Sequence, residues 1–600
     1  MKNTLLILSL VIAIVSCGPK QKKQEESVGS ETTNIENIKE AFIDDLWKNY
    51  PVWASYVGFH DYDDQLPIPD QSRRDAQLEF SKNWLDSLSS IDMDALSEND
   101  RIDVLIMQDF LKGIEFDIND YQSFKWNPSS YNLGGGFFQV LNYRKESLDD
   151  RLMTIYEKLA HVPAFYEAAK ANIDRPTKVH TDLAISQLKG SISVFQNSLN
   201  DSLDESGLDA QKIASIKSRR DTAVAAIQSF VDYLEKELVP NFSEENTRSF
   251  RIGKELFEQK FYYDIQSAYS AEEIFEIAVA EKTELHDKMY KVSDALWEKY
   301  FGEQEKPGKR LDLIRMVIEE VSKTHVHRDS FITAIRQQIP ELEAFIKEND
   351  LIDLDPEKPL VVRETPKYMQ GVAGASISAP GPYDKDAETY YNVTPLDHYT
   401  EEEAESYLRE YNQYLLQILN IHEAIPGHYT QLVYSNESPS LIKSILGNGA
   451  MIEGWAVYTE LMMLEAGYGG DQMEMGLMYY KWNLRTVCNT ILDYGVHVNN
   501  FTEEDAMQLL VKEAFQEEAE AKGKWKRARL SQVQLCSYFT GFHEIRELRD
   551  SVMNQRGEDY SLKDFHHEFL SYGSAPVKYI ARMMLMDEQE NEGITENSSL

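Results

Sequence analysis

Cysteine is nearly missing from this chain: three residues in 600, at Cys17, Cys488 and Cys536. That count excludes a disulfide scaffold, and Cys488 and Cys536 are expected to be two buried thiols. Basic charge is scarce too. Sixty-one Lys and Arg stand against 101 Asp and Glu, a formal net charge of −40. Nucleic-acid binding normally needs a basic face, so that function class is disfavoured, as is electrostatic docking on anionic lipid. An acidic surface can draw in basic peptides or simply keep a protein soluble, and composition leaves both readings open. Long apolar runs are lacking. The longest, residues 5–15, is far short of the roughly 20 residues that span a membrane. No Gly/Ser/Pro-rich linker follows residue 35, and no fixed-period repeat stands out, so neither a string of domains nor a solenoid is expected.

What is present begins with a processing segment. Lys2, the apolar run and Ser16-Cys17-Gly18 have the layout of a lipoprotein signal, so residues 1–17 are expected to be a signal peptide ending at a lipidated Cys17. An ordinary secretory signal with an incidental cysteine is the alternative. Acyl chains on Cys17 would anchor the mature protein to a membrane. Residues 18–35, with Lys20, Lys22, Lys23, Glu25 and Glu26, read as a flexible tether, and the acidic residues 588–600 as a disordered tail.

With 42% hydrophobic and 11% aromatic residues, the remainder can bury a large core. Apolar residues recur at helical spacing over 35–50, 75–88, 102–114, 148–172, 181–199, 210–237, 271–299 and 309–321. Residues 97–99 carry helix-start signals, whereas 121–142, with Trp126, Tyr131 and Gly134-Gly135-Gly136, reads as an aromatic, glycine-rich loop. The register changes near residue 357. Residues 359–363, 371–378 and 390–393 are rich in small and β-branched side chains and predict a few strands. An edge strand there would suit pairing with an extended peptide; a purely structural hairpin is equally open. Residues 401–421 read as one helix rising into His422. The expected fold is mainly α, one large domain over 36–587 with a small β element beside the active site.

The chemistry gathers in Asn420-Ile421-His422-Glu423-Ala424-Ile425-Pro426-Gly427-His428, followed by Glu453-Gly454-Trp455-Ala456. Two imidazoles, an acid beside the first, and a further Glu 25 residues past the second are the parts of a catalytic zinc site. Three protein ligands hold the metal, a fourth position stays open, and a general base stands alongside. The usual His-Glu-x-x-His places its histidines four apart on one helix face. Here they are six apart, about 240° around an ideal helix at 100° per residue, so a regular helix cannot aim both at one ion. Pro426 and Gly427 predict the remedy, a bulge or unwound turn that swings His428 back toward His422. Glu423 is the natural base. Glu460, two turns beyond Glu453, is a candidate to orient a ligand histidine or else a solvated acid. Trp455 reads as core, and the basic run 524–529 as a solvated face.

These motifs resemble the bacterial family catalogued as domain of unknown function 885. Asp493-Tyr494-Gly495-Val496-His497, Gln534-Leu535-Cys536-Ser537-Tyr538 with Gly541, Phe565-His566 and Gly573-Ser574-Ala575-Pro576 are similar to further blocks of that family. One departure is Gln532, where the family commonly has proline. The similarity spans roughly residues 36–587. It implies a gluzincin-like zinc metallopeptidase, often a lipoprotein, with His422, His428 and Glu453 as ligands. Tyr538 and His497 are the candidates it offers for polarising the scissile carbonyl or holding the oxyanion; His543, His566 and His567 have weaker claims.

The expectation is thus a zinc-dependent peptidase of the cell envelope, lipid-anchored to a bacterial membrane and acting on peptide substrates. One Zn2+ per chain is expected, Mn2+ or Co2+ being alternative occupants of such a ligand set. A peptide- or glycan-binding lipoprotein of an uptake system is the rival, and the acid at Glu423 argues against it, since a binder has no use for a base there.

Overall fold

The computed structural model describes residues 35–143, 145–355, 357–365, 374–384 and 388–585. The expected signal segment, Cys17, the tether up to residue 34 and the acidic tail lie outside the described residues. Helix makes up 72% of the structure and strand 3%, so the chain is mainly α with one small sheet. No described helix is long and apolar enough to cross a membrane.

Many helices open where short polar side chains can satisfy the first free amides. Ser97 accepts from Asp100 N–H at the head of Glu98–Phe116, and Ser270 with Glu273 closes a reciprocal capping box before Ala271–Phe301. Two hydrophobic cores result. A satellite core under the helices of residues 128–241 includes Tyr131, Phe137, Leu152, Tyr166, Leu188 and Ile227. The larger core gathers apolar residues from Phe42 to Trp126 and from Ile252 to Met584.

Three expectations change. Residues 121–142 are not a loop: short helical turns lead into a helix, Gly134–Asn142, and Trp126 and Tyr131 are buried. Gly134 packs so tightly that a Cβ there would stand 2.7 Å from Ser191 Cβ. Residues 401–421 are two helices, Glu401–Glu410 and Leu415–Glu423. The break belongs to Asn412, whose buried side-chain oxygen accepts from the Tyr414 and Leu415 amides at 3.1 and 3.2 Å. This side-chain bond competes with the helical ladder. The basic run 524–529 is not wholly solvated either, because Lys524 is buried.

The sheet has the order β1-β3-β2, with β1 Leu360–Glu364, β2 Ala375–Ser378 and β3 Thr389–Val393. β3 runs parallel to β1 and antiparallel to β2, with Ile377 opposite Tyr391. Central β3 docks on the His422 helix through Tyr391, whose buried hydroxyl donates to Asn420 Oδ1 at 2.8 Å. That contact sets edge strand β2 across from the histidines.

One helix crossing organises the rest of the site. Gly449–Glu465 and Ser537–Arg556 meet backbone to backbone at Gly454 and Gly541. A Cβ on Gly541 would stand 1.7 Å from the Ala450 oxygen, and one on Gly454 would stand 2.3 Å from the Gly541 carbonyl carbon. Glu453 precedes one of these glycines and Tyr538 lies three residues before the other, so the close approach carries both side chains to one place.

Candidate metal centre

Helix Leu415–Glu423 ends at Ala424, with φ −109° and ψ −91°, and a new helix, His428–Glu437, begins at His428. Between them the Ile425–Pro426 peptide is cis. The Gly427 amide reaches back to the Ile421 carbonyl at 2.9 Å. Gly427 lies so close to the preceding helix that a Cβ would be 1.9 Å from the His422 carbonyl oxygen, a space only glycine can enter. Trp455, fully buried, donates its indole N–H to the Pro426 carbonyl at 2.9 Å and so supports the turn from behind. It is a core residue, as its sequence context suggests.

The turn returns His428 to His422. Their rings stand 4.8 Å apart between centroids, edge to face. Glu453 Oε2 lies 3.9 Å from His422 Nε2 and 3.4 Å from His428 Nε2. Among the described residues, His422, His428 and Glu453 are the group whose ligand atoms converge, all within 4.8 Å of one another. Ligands about 2.05 Å from a tetrahedral zinc stand roughly 3.3 Å apart, so this set fits one such ion with small side-chain adjustments.

Behind the ligands, Glu460 is fully buried. Its Oε1 pairs with His422 Nδ1 at 2.7 Å and accepts the Trp482 indole N–H at 2.9 Å. A carboxylate on Nδ1 turns Nε2 toward the cleft, the arrangement metal-bound imidazoles usually have. Burial, followed by the neighbouring His428, pushes His422 down to about 4, so its ring is neutral near pH 7 and free to bind a cation. Burial also opposes charge on His428 and Glu453, but their mutual hydrogen bond and attraction prevail. His428 is raised and Glu453 lowered. Burial raises Glu423, which suits a group that must take up a proton.

Glu423, His422, His428, Glu453 and Tyr538 line one cleft of about 340 Å³, together with Leu432 and with Ala375, Ser376 and Ile377 of β2. Tyr538 therefore reaches the cluster, and burial keeps its hydroxyl protonated above the ordinary tyrosine range. His497 does not. It is buried apart from the cleft, its Nε2 2.8 Å from the Ala528 carbonyl oxygen and its ring stacked on Phe257. His566 is likewise a packing residue, bridging Tyr458 and the Leu351 carbonyl. His543 packs on Phe539 and His567 faces Asp353.

The stretch around His497 has a different task. Asp493 Oδ2 accepts the Leu535 amide at 3.0 Å and anchors the turn ahead of Tyr538. In that turn Val533 has φ +72°, a left-handed conformation that a β-branched residue adopts only under strong constraint. Gln532, where proline was the family expectation, is buried and accepts the Tyr121 hydroxyl at 2.6 Å. The closing motif also supports the helix that carries Glu453: the Ser574 carbonyl accepts the Asn448 amide at 2.7 Å, and Asn448 caps Gly449–Glu465. Trp482 and the Gly454–Gly541 crossing were beyond sequence reasoning. The available signal was a glycine at fixed distance from each functional side chain.

The molecule is thus a mainly α protein with a His-His-Glu cluster, buried at His422 and half-buried at His428 and Glu453, in a cleft beside a small edge strand. The chain belongs to the bacterial family of proteins of unknown function DUF885, which it matches over residues 51–584. It is similar to a candidate lipoprotein of unknown function from Shewanella oneidensis, 51% identical, with 92% of this chain and 99% of that chain covered and a TM-score of 0.85. A candidate lipoprotein from Colwellia psychrerythraea shares the fold at 17% identity, with 92% and 98% of the two chains covered and a TM-score of 0.74. No curated protein matches the chain.

Proposed function

We propose that this protein is a gluzincin-like zinc peptidase of the cell envelope, tethered to a bacterial membrane through a lipid on Cys17. The observation that carries the reading is the convergence of His422, His428 and Glu453 in the cleft that also holds Glu423. A zinc ion bound there supplies a Lewis acid for a carbonyl oxygen and lowers the pKa of water. Glu423 takes the proton from the attacking water and passes it to the leaving amine, so water and one amide become a carboxylic acid and an amine, which part as carboxylate and ammonium. Tyr538, kept protonated, donates to the oxygen on which charge develops. Glu460 holds His422 in orientation, and His497 has no part in the chemistry. Edge strand β2 lines the cleft with Ala375, Ser376 and Ile377, and its open edge suits pairing with an extended peptide, which favours a peptide over a glycan. The lipid anchor is supported by the Ser16-Cys17-Gly18 signal and by relatives described as candidate lipoproteins.

The test is cleavage of a mixed peptide library by zinc-loaded protein, with Glu423→Gln as the blank. Cleavage lost in the blank is the expected result. Intact peptide retained equally by both proteins would favour the binding lipoprotein instead.

A further inference from the structure

Helix Glu518–Leu530 turns one polar stripe toward the site. Glu520, Lys524 and Arg527 stand at i, i+4 and i+7 and so share a face. At one end Glu520 pairs with Arg485 at 2.5 Å, and Arg485 sits over Trp482, the residue that holds Glu460. At the other end Arg527 donates to the hydroxyl of Tyr538 at 3.1 Å and to Gln534 at 2.7 Å. The stripe therefore runs from behind the His422 support to the residue on the cleft wall.

Its charge is unbalanced. Glu520 neutralises Arg485. Arg527 hydrogen-bonds only neutral groups, and Lys524 is 5% exposed with no hydrogen bond or ion pair among the described residues. A buried cation without a counter-ion is costly, and folded proteins rarely keep one. Beyond the stripe, Glu453 attracts both Lys524 and Arg527, and a metal at the cluster would claim that carboxylate. Burial, then the neighbouring Arg485, lowers Lys524 and disfavours its charged form despite the attraction of Glu520, and an anion received beside it would restore the ammonium. In a chain of net charge −40, Lys524 and Arg527 on one helix face near this cleft, neither in an ion pair among the described residues, are no general property of the surface.

We propose that Lys524 and Arg527 form an anion subsite that receives a carboxylate of the peptide substrate. The inference rests on the peptidase reading of the cleft and adds its substrate class. The carboxylate has two sources, the chain's own C-terminus or an acidic side chain. A free C-terminus held there fixes how far the peptide can extend past Tyr538 and makes the enzyme a trimmer of carboxyl ends. An acidic side chain held there makes it selective for Asp or Glu near the cut.

The experiment is calorimetric binding to the zinc-loaded Glu423→Gln protein, repeated without zinc. The probes are an N-acetylated pentapeptide of Ala and Phe as free acid and as C-terminal amide, and the amide with one Glu or one Gln. The free acid is expected to bind at least 10-fold more tightly than its amide, and Arg527→Gln to remove most of that preference. Lys524→Met should do the same; should this buried variant fail to fold, the exposed Arg527 still decides. Preference for the Glu amide over the Gln amide, lost in the same variants, would support the subsite with an acidic side chain as its ligand. Equal binding in both pairs, or a preference that survives Arg527→Gln, would overturn the proposal. Those outcomes are independent of whether wild-type protein cleaves any peptide, so failure of the subsite and failure of the peptidase reading remain distinct.

Discussion

The satellite bundle of residues 128–241 and the last third of the chain, from Glu401 onward, are both helical, yet they are built on different terms. In the bundle, apolar stripes meet in a core, and only Arg151 and Tyr166 leave a buried side-chain polar atom unpartnered among its described residues. From residue 401 onward, such atoms recur through Thr430, Glu460, Asn489, Asp493, Gln516, Gln532 and His543, around helices that close up on glycines. A folding core tolerates little of this, because each unpaired buried group costs about 1–3 kcal/mol. On the proposed reading, a site for a cation and a polar substrate uses such groups, and Glu460 stands directly behind it against His422. On that reading the bundle serves as scaffold, and the last third of the chain carries the departures from ordinary packing.

Glycine substitution is the sharpest way to break that comparison. Gly541→Ala drives a methyl into the Ala450 carbonyl and should cost about 3 kcal/mol or more, or prevent folding, because overpacking of this kind ordinarily costs 1–3 kcal/mol. Gly190→Ala lies on a bundle helix with nothing within 4 Å of the new Cβ, and should stabilise by about 0.5–1 kcal/mol. Denaturant unfolding reads both, and equal effects would erase the distinction. Next in size, Glu460→Gln should leave the fold intact and weaken zinc about 10- to 100-fold, the usual consequence of losing such an outer partner. A competition titration with a zinc chelator measures it; unchanged affinity would mean that Glu460 is only a packing group.

The smallest effect is a pH slope. Burial pushes Asp493 up to about 8, whereas an unfolded aspartate titrates near 4. Between those values the native state holds a proton that the unfolded chain releases, so raising pH favours unfolding. The stabilisation is fully present below about pH 4 and is lost by about pH 8. Asp493→Asn keeps an oxygen for the Leu535 amide and removes the titration. Its stability should therefore fall less than wild type from pH 5 to 8, as thermal melts would record; parallel curves would refute the assignment.

The same contrast explains what was legible in the sequence. The helix start at Ser97 could be read because caps are local, and His422, Glu423 and Glu453 because their residue types announce the chemistry. The broken helix at 411–414 escaped periodicity, since Asn412 acts through a hydrogen bond that no apolar spacing encodes. His497 was misleading for a related reason. Its motif is a real unit, but the work is done by Asp493, which fixes the turn before Tyr538. Gly427 was legible as an irregularity, while its cause, the approach to the His422 carbonyl, is a tertiary fact.

Bound metal per chain, measured by mass spectrometry on purified wild-type protein and on His428→Ala, tests the central claim that a turn folds two histidines six residues apart into one site. About one zinc per wild-type chain, lost in the variant while its circular dichroism is kept, is the predicted result. Wild-type protein that takes up no metal even after zinc is added back would contradict the account.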